Sequence, residues 1–271
     1  MSGITRFIAL GDSLTEGLSD KYPDRSYRGW ADRVADVLAK ANSNFRYANF
    51  AVRGKILEQV ISDQLNVALP LITGADTVVS FHAGANNILR PKLDIEKVVS
   101  DYQNAVTRLT ETGAKVLVFT VREVANPKTK AEFYWNERFG PFNANVREVS
   151  LKTGAILLDA NSHDVFGDPR MLAKDRLHLS PEGHRRVAQG VLNAIGMPHD
   201  ASYTQAMGPH KQAPAALRGI GTVLWGLAFL VPWAIRRLSG KSSGDGRVAK
   251  YPALTSWPIN KIDHAEKQNY C

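Results

Sequence analysis

The sequence predicts an α/β fold in which helices cover both faces of a parallel sheet. Short runs rich in β-branched and aromatic residues alternate with longer segments whose apolar residues repeat with helical period. This alternation is typical of parallel sheets, because two parallel strands need a crossover connection that is usually a helix. A chain of 271 residues with 44% hydrophobic residues is long enough for one sizeable domain plus an extension.

Five runs are the candidate strands of this sheet. In chain order they are Ile4–Leu10, Phe45–Phe50, Asp76–His82, Lys115–Val121 and Ala155–Asp159. We expect a flavodoxin-like, three-layer α/β/α sandwich whose five-stranded parallel sheet has the order 2-1-3-4-5. In that order the first three strands are neighbours, so the loops after their carboxyl ends meet at one edge of the sheet.

The segments between the strands carry signals for helix ends. Gly113 and Gly154 stand where helices would end, each just before the next strand. The best marked start is Ser180-Pro181-Glu182, because Ser can cap a helix, Pro suits its first position and Glu favours its first turn. The predicted crossover helices are Tyr27–Lys40, Ile56–Ala68, Asp94–Glu111 and about Asn136–Thr153.

The chain is predicted to consist of one domain, residues 1–198, and a C-terminal extension, residues 199–271. The extension is expected to hold an apolar helix at about 217–238 and a flexible basic tail, because Ser and Gly are frequent in residues 240–246. Residues 201–271 of it carry nine Lys and Arg against three Asp and Glu, so the extension accounts for most of the net charge of +8. The single cysteine, Cys271, excludes an internal disulfide, and we expect a cytoplasmic protein.

The uncharged segment Gly219–Ile235 raises the question of a membrane. As a helix its seventeen residues would span about 26 Å, which is short of a bilayer core of about 30 Å. A full span is therefore disfavoured. Docking onto the domain and peripheral membrane contact through residues 219–237 both stay open.

The first candidate site residue is Ser13, in the run Gly11-Asp12-Ser13-Leu14 directly after the first strand. The carboxyl ends of parallel strands are where ligands bind, so a nucleophilic hydroxyl would be well placed there. Asp and Ser are also common in plain turns and caps. Taken alone, the run leaves both interpretations open.

The second candidate is the run Asp175-Arg176-Leu177-His178, just before the last helix. A serine hydroxyl needs a base, and the base needs a carboxylate on its Nδ1 side so that Nε2 faces the hydroxyl. An Asp three residues before a His can supply both groups from one loop. An isolated pair of this kind is, however, more often two surface loop residues.

Candidate oxyanion donors follow the second and third strands. Gly54 could offer a main-chain N–H with no side chain in the way, and Asn86 could offer a side-chain amide. With the Ser13 N–H they would form an oxyanion hole, which stabilises the negative charge that develops during acyl transfer. Considered singly, each is also compatible with a turn or a helix cap.

Together these four blocks resemble those of the SGNH (GDSL-type) hydrolase family, over residues 4 to about 196. The resemblance implies a serine esterase or lipase with Ser13 as nucleophile, His178 as general base and Asp175 as its orienter. It also implies an oxyanion hole made by the Ser13 N–H, the Gly54 N–H and the Asn86 side chain. The implied reaction is hydrolysis of a carboxylic ester through an acyl-enzyme.

Two positions depart from the family pattern. Asn87 stands where the family usually has Asp, and Ala51 stands where the glycine block often has an earlier Gly. Neither exchange removes a catalytic group, although the first could alter how the loop is anchored. The tail resembles that of actinobacterial members of the family, in Pro232-Trp233, Arg236-Arg237 and the run at 242–246.

Two alternatives stay open beside hydrolysis: acyl transfer to an alcohol by the same site, and a catalytically silent, membrane-associated binding module. The expected partner is a small-molecule acyl ester, and no nucleic acid is expected. We expect no cofactor and no metal, since the sequence has no metal-ligand spacing, no P-loop and no G-x-G-x-x-G run. Arg53, Arg90, Arg122 and Arg176 near the strand ends suggest a second hypothesis, an anionic group on the substrate.

Overall fold

A six-stranded sheet forms the centre of the protein, in a computed structural model that describes residues 3–209, 215–232, 235 and 242–258. The strands are β1 (Arg6–Gly11), β2 (Arg46–Asn49), β3 (Thr77–His82), β4 (Lys115–Phe119), β5 (Ile156–Leu158) and β6 (Tyr251–Ser256). Their order is β5-β4-β3-β1-β2-β6, and β1 to β5 pair in parallel. The predicted α/β fold and the order 2-1-3-4-5 are confirmed.

The prediction of five strands was wrong, because the C-terminal tail adds a sixth. β6 pairs antiparallel with β2 and so covers what would otherwise be an open edge of the sheet. Its sequence gives a weak strand signal, since Pro252 interrupts a short run, but Pro is tolerated at a sheet edge.

Helices cover both faces of the sheet and bury two hydrophobic clusters. The first face packs against the helices within residues 57–60, 95–110 and 130–153, and the second face packs against those within residues 29–41 and 181–194. The helices are α1 (Ser13–Glu16), α2 (Gly29–Ala41), α3 (Leu57–Val60), α4 (Asn66–Ala68), α5 (Ala85–Ile88), α6 (Ile95–Thr110), α7 (Lys130–Thr153), α8 (Pro181–Ala194) and α9 (Ala215–Trp225). A π-helical turn, Ile61–Leu65, joins α3 to α4, and a 3₁₀ turn, Leu69–Leu71, follows α4.

The boundaries of the helices follow their caps. Ser180 Oγ accepts a hydrogen bond from the N–H of Gly183 (3.1 Å), as its position before Pro181 predicts. α7 begins earlier than predicted, at Lys130, because Thr129 and Glu132 form a reciprocal capping box.

Residues 242–258 of the tail pack on the sheet through a buried ion pair. Lys250 Nζ lies 2.7 Å from Asp32 Oδ1, and Asp32 is fully buried in α2. Tyr47 also donates a hydrogen bond to Asp32 (2.9 Å), and Trp257 Nε1 donates one to Asp36 (2.9 Å). These contacts join the described part of the tail to the sheet, and the flexibility of residues 240–246 stays a prediction.

The predicted apolar helix at about 217–238 is described in part. α9 continues through the π-helical turn Gly226–Leu230 to residue 232, and residue 235 is also helical. The predicted features at Trp233, Arg236-Arg237, Leu238, residues 240–241 and Cys271 lie outside the described residues. In the described parts of the chain, no helix combines the length and the apolar character that crossing a bilayer requires. The division at residue 198 stays a prediction.

Candidate active site

The turn that carries Ser13 is shaped by a glycine at the end of β1. Gly11 lies so close to β3 that a Cβ atom on it would overlap the main-chain oxygen of His82. The chain then enters α1, whose first residue is Ser13 and whose N-cap is Asp12. The Asp12 carboxylate accepts a hydrogen bond from the N–H of Leu14 (3.3 Å). Ser13 thus stands beyond a central strand, at a helix N-terminus where N–H groups lack partners within the helix.

His178 lies in the loop before α8 and is paired with Asp175. Its Nδ1 lies 2.6 Å from Asp175 Oδ2, and Asp175 Oδ1 accepts hydrogen bonds from the N–H groups of Leu177 and His178 (both 3.0 Å). Burial raises the pKa of Asp175, but the hydrogen bonds from His178 and Leu177 outweigh this effect and lower its pKa overall. The ionised carboxylate holds the His178 proton on Nδ1 and leaves Nε2 as the acceptor.

Four of the five predicted site residues line one cavity of about 240 Å³: Ser13, Gly54, Asn86 and His178. Asp175 lies behind His178. In the described part of the chain, no hydrogen bond joins the Ser13 hydroxyl to the His178 ring. Such bonds are often long without substrate and tighten in its presence.

The side-chain amide of Asn86 joins the loops that follow β1, β2 and β3. Its Nδ2 donates to Asp12 Oδ2 and to the main-chain oxygen of Lys55, each at 3.0 Å. Asp12 directly precedes Ser13 and Lys55 directly follows Gly54. One amide therefore sets the relative position of all three oxyanion candidates.

Asp12, which lines this cavity, and the nearby His82 are both buried. Burial raises the pKa of Asp12, and the opposing effects of His82 and His178 do not cancel it. Burial also lowers the pKa of His82, whose Nδ1 has no partner among the described residues.

His184 holds α8 against the loop that follows Ser13. It is fully buried in α8, where its Nδ1 accepts a hydrogen bond from the N–H of Trp30 (3.2 Å) and its Nε2 donates one to the Leu18 oxygen (2.9 Å). Burial lowers the pKa of His184 to about 4, so the ring is neutral and can play both parts. Its role is structural.

A second, larger cavity of about 770 Å³ adjoins the first. The two share the walls formed by Leu14, Ala85, Leu89 and Leu177. Aromatic and aliphatic side chains dominate the rest of its lining, including Phe119, Trp135, Phe139, Phe166, Met171 and Val187.

The four arginines near the strand ends have different surroundings. Arg53 forms an ion pair with Glu16, and Arg176 lies over the ring of Trp225, 4.9 Å from its centroid. Arg122 and Arg176 line the larger cavity, Arg53 lines the smaller one, and Arg90 lines neither. The hypothesis of an anionic substrate group stays a prediction. Among the described residues, no group of three or more His, Cys, Asp or Glu could hold a metal ion.

The sequence model of the GDSL-like Lipase/Acylhydrolase family matches residues 9–186, which is more than half of the chain. The chain belongs to this family. It is a carboxylic ester hydrolase, as the resemblance of its blocks implied. No curated protein matches the chain in sequence.

Solved structures of family members and esterases share this fold. A catalytic mutant of Axe2, an acetylxylan esterase from Geobacillus stearothermophilus, has a TM-score of 0.59 at 14% identity, covering 75% of this chain and 97% of its own. A putative GDSL-like lipase from Parabacteroides merdae has a TM-score of 0.56 at 18% identity, covering 71% and 96%. The psychrotrophic esterase EstA from Pseudoalteromonas sp. has a TM-score of 0.52 at 17% identity, covering 71% and 97%. At these identities the likeness concerns the fold.

Several residues that support the GDSL blocks could not be identified from the sequence. Glu16 accepts hydrogen bonds from the Arg53 side chain and from the Arg53 N–H (2.7 Å). Gln64 pairs with both the N–H (2.8 Å) and the C=O (2.9 Å) of Gly11. Asn49 donates to the oxygen of Thr15 (3.0 Å). Glu16 was the one signal available, since an acidic residue only three positions after Ser13 suggests a basic partner.

Asn87, which stands where the family usually has Asp, forms a hydrogen bond with a neighbouring acidic residue, Glu58. Asn87 Oδ1 accepts a hydrogen bond from the N–H of Leu57 (2.8 Å), as an Asp could. Its Nδ2 donates to Glu58 Oε2 (2.8 Å), which an Asp could not do while both groups are ionised. These two bonds anchor the loop, and Ala51 is fully buried.

We expect Asn87→Asp to lower the free energy of unfolding by about 1–3 kcal/mol, because it sets two carboxylates against each other at a nearly buried site. Glu58→Gln in the same chain should recover most of this loss, since a Gln amide can donate to Asp. Chemical denaturation of both single variants and the double variant measures the coupling. A double variant no more stable than Asn87→Asp would contradict this account of the exchange.

Proposed function

We propose that the protein hydrolyses carboxylic esters through an acyl-enzyme on Ser13, with His178 as general base and Asp175 as its orienter. The observation that carries the proposal is the common cavity of Ser13, Gly54, Asn86 and His178, with Asp175 bonded to the far side of the imidazole. If these residues served only as local turns and helix caps, there would be no reason for all of them to line one cavity.

The reaction follows from the protonation states. His178 Nε2 takes the proton of the Ser13 hydroxyl as Oγ attacks the carbonyl carbon, and the tetrahedral intermediate forms. The same proton passes to the departing alcohol when the ester bond breaks. Water then attacks the acyl-enzyme with His178 again as base, which releases the acid and restores Ser13.

The oxyanion would receive hydrogen bonds from the N–H groups of Ser13 and Gly54 and from the Asn86 amide. Both amide protons of Asn86 already have acceptors, the Asp12 carboxylate and the Lys55 oxygen. A charged oxygen is the stronger acceptor by about a factor of two over a neutral carbonyl. We therefore propose that the oxyanion draws the second amide proton away from Lys55 as charge develops, while the bond to Asp12 holds the amide in place.

The nucleophile is tested with a fluorophosphonate probe, which phosphonylates activated serines. We expect labelling of the native protein at one position, no labelling of Ser13→Ala, and a fall in kcat of Ser13→Ala on the order of 10⁶. Labelling that persists in Ser13→Ala would exclude Ser13. Absence of labelling in the native protein would favour the catalytically silent binding module.

The larger cavity is the proposed site for the acyl chain. Its volume of about 770 Å³ falls within the range of pockets that enclose a small-molecule ligand, and its lining is mainly apolar. The four walls that it shares with the Ser13 cavity would let a chain run from the ester group into it. We propose esters of medium or long acyl chains as substrates.

Filling the cavity should shorten the preferred acyl chain. Val187 lines it from α8, so Val187→Phe is expected to lower kcat/KM for long acyl esters about tenfold while short esters are unaffected. The matched control is Val67→Phe, at an exposed position that lines neither cavity. If Val187→Phe and Val67→Phe showed the same dependence of kcat/KM on acyl chain length, the acyl chain would have to bind elsewhere.

We further propose that the exposed side of α9 and its continuation binds an anionic lipid surface. Apolar side chains on it are exposed to solvent: Val223, Leu224, Leu227, Val231 and Ile235. The excess of basic residues in the extension favours anionic over neutral lipid.

The other side of α9 docks on the candidate catalytic loop. Trp225 Nε1 donates a hydrogen bond to the oxygen of Asp175 (2.9 Å), and the Arg176 guanidinium lies over the Trp225 ring. A lipid surface bound at this helix would lie beside the mouth of the ester site. Such a surface is also the source of esters with long acyl chains.

Sedimentation with vesicles tests the lipid surface. The protein should sediment with phosphatidylcholine vesicles that contain phosphatidylglycerol, more weakly at high salt, and Leu224→Ser/Leu227→Ser should abolish this. Leu151→Ser, at an exposed position on α7, is the control. If the double variant sedimented with vesicles as strongly as the native protein, or if the protein self-associated without vesicles, the apolar side of α9 would bind something other than lipid.

A further inference from the structure

We propose that the C-terminal turn Ser242–Gly244 is a positioning element of the ester site, which fixes the peptide groups on both sides of Gly54. The inference rests on the proposed role of the Gly54 N–H in the oxyanion hole. It assigns part of the active site to a segment well beyond residues 9–186, the region that matches the family.

The turn contacts the carbonyl groups that flank Gly54. Ser242 Oγ donates a hydrogen bond to the Gly54 oxygen (3.2 Å) and accepts one from the N–H of Gly244 (3.2 Å). Gly244 is buried so closely against the oxygen of Arg53 that a Cβ atom on it would overlap that oxygen. Both peptide groups, 53–54 and 54–55, are thus held from the tail side.

These contacts bear directly on the oxyanion donor. The Arg53 oxygen and the Gly54 N–H belong to one planar peptide group and point in opposite directions. Packing Gly244 against that oxygen therefore fixes where the N–H points. Without such support the peptide could rotate, because Gly54 (φ +74°) has more accessible conformations than any other residue type.

The two glycines fit each other. A Cβ atom on Gly54 would overlap the Ser242 hydroxyl, and one on Gly244 would overlap Arg53, so neither position tolerates a side chain while the turn is docked. From the other side, Glu16 accepts hydrogen bonds from the main-chain N–H and the side chain of Arg53. The Arg53–Gly54 segment is thus clamped between α1 and the tail.

The turn is itself held in place by the rest of the tail. The Asp245 carboxylate accepts a hydrogen bond from the Ser242 N–H (2.8 Å), and Arg247 Nε donates one to the Ser243 oxygen (2.9 Å). The buried pair of Lys250 with Asp32 and the strand β6 follow within a few residues. Ser242 and Ser243 also line the cavity that contains Ser13.

The direct test is Gly244→Ala, whose added methyl group must push the turn away from Arg53. Removal of one oxyanion donor costs about 10²–10³ in kcat, so a displaced donor should lower kcat about tenfold or more with KM within about twofold. The rate of fluorophosphonate labelling at Ser13 should fall in parallel. The control is Gly208→Ala, where an added Cβ meets no neighbour, and thermal unfolding shows that both variants fold.

A second pair of variants removes an interaction without adding bulk to the contact with Arg53. Ser242→Ala should lower kcat about threefold to tenfold through loss of the bond to the Gly54 oxygen, and Ser242→Thr, which keeps the hydroxyl, should recover most of it. An unchanged kcat in folded Gly244→Ala and Ser242→Ala, or a change confined to KM, would overturn the inference. Failure of the native protein to label at Ser13 would instead overturn the proposed function.

Discussion

The side-chain amide of Asn86 donates one hydrogen bond to the carboxylate of Asp12 and another to the main-chain oxygen of Lys55. Through these two bonds a single group fixes the spacing between the residue before Ser13 and the residue after Gly54. Because β1, β2 and β3 are parallel neighbours, their carboxyl ends already lie at one edge of the sheet. The amide converts this approximate proximity into a defined geometry, which is what stabilisation of a developing charge demands.

The proposed base, His178, reaches this edge from a distant part of the chain. α8 packs on α2, and the buried ring of His184 joins α8 to Leu18 and Trp30 on either side of the loop that follows Ser13. The short loop before α8 is then enough to bring Asp175 and His178 to the cavity that contains Ser13. The tail adds contacts at two points, with Trp225 on Asp175 and Ser242 on Gly54. The candidate site is therefore built from elements that span residues 11–244, and the C-terminal extension contacts it at Asp175 and at Gly54.

Much of this arrangement could be predicted from the sequence, because it follows from local pattern and topology. Apolar runs predicted the five parallel strands, and Ser180-Pro181 predicted the start of α8. Parallel topology predicted that the loops after the first three strands would meet. The rest depends on non-local contacts that leave no local pattern. β6 is stabilised by Lys250 on Asp32 and by Trp257 on Asp36, each more than 200 positions away. The bond of Gln64 to Gly11 and the packing of Gly244 on Arg53 are of the same kind.

The most direct test of this account is a crystal structure of the protein after reaction with a fluorophosphonate, since the phosphonyl group resembles the tetrahedral intermediate. The account predicts a covalent bond from phosphorus to Ser13 Oγ, with the phosphoryl oxygen about 3 Å from the Gly54 nitrogen and from Asn86 Nδ2. The His178 ring should remain bonded to Asp175. An adduct on another residue, or a phosphoryl oxygen directed away from both Gly54 and Asn86, would contradict it.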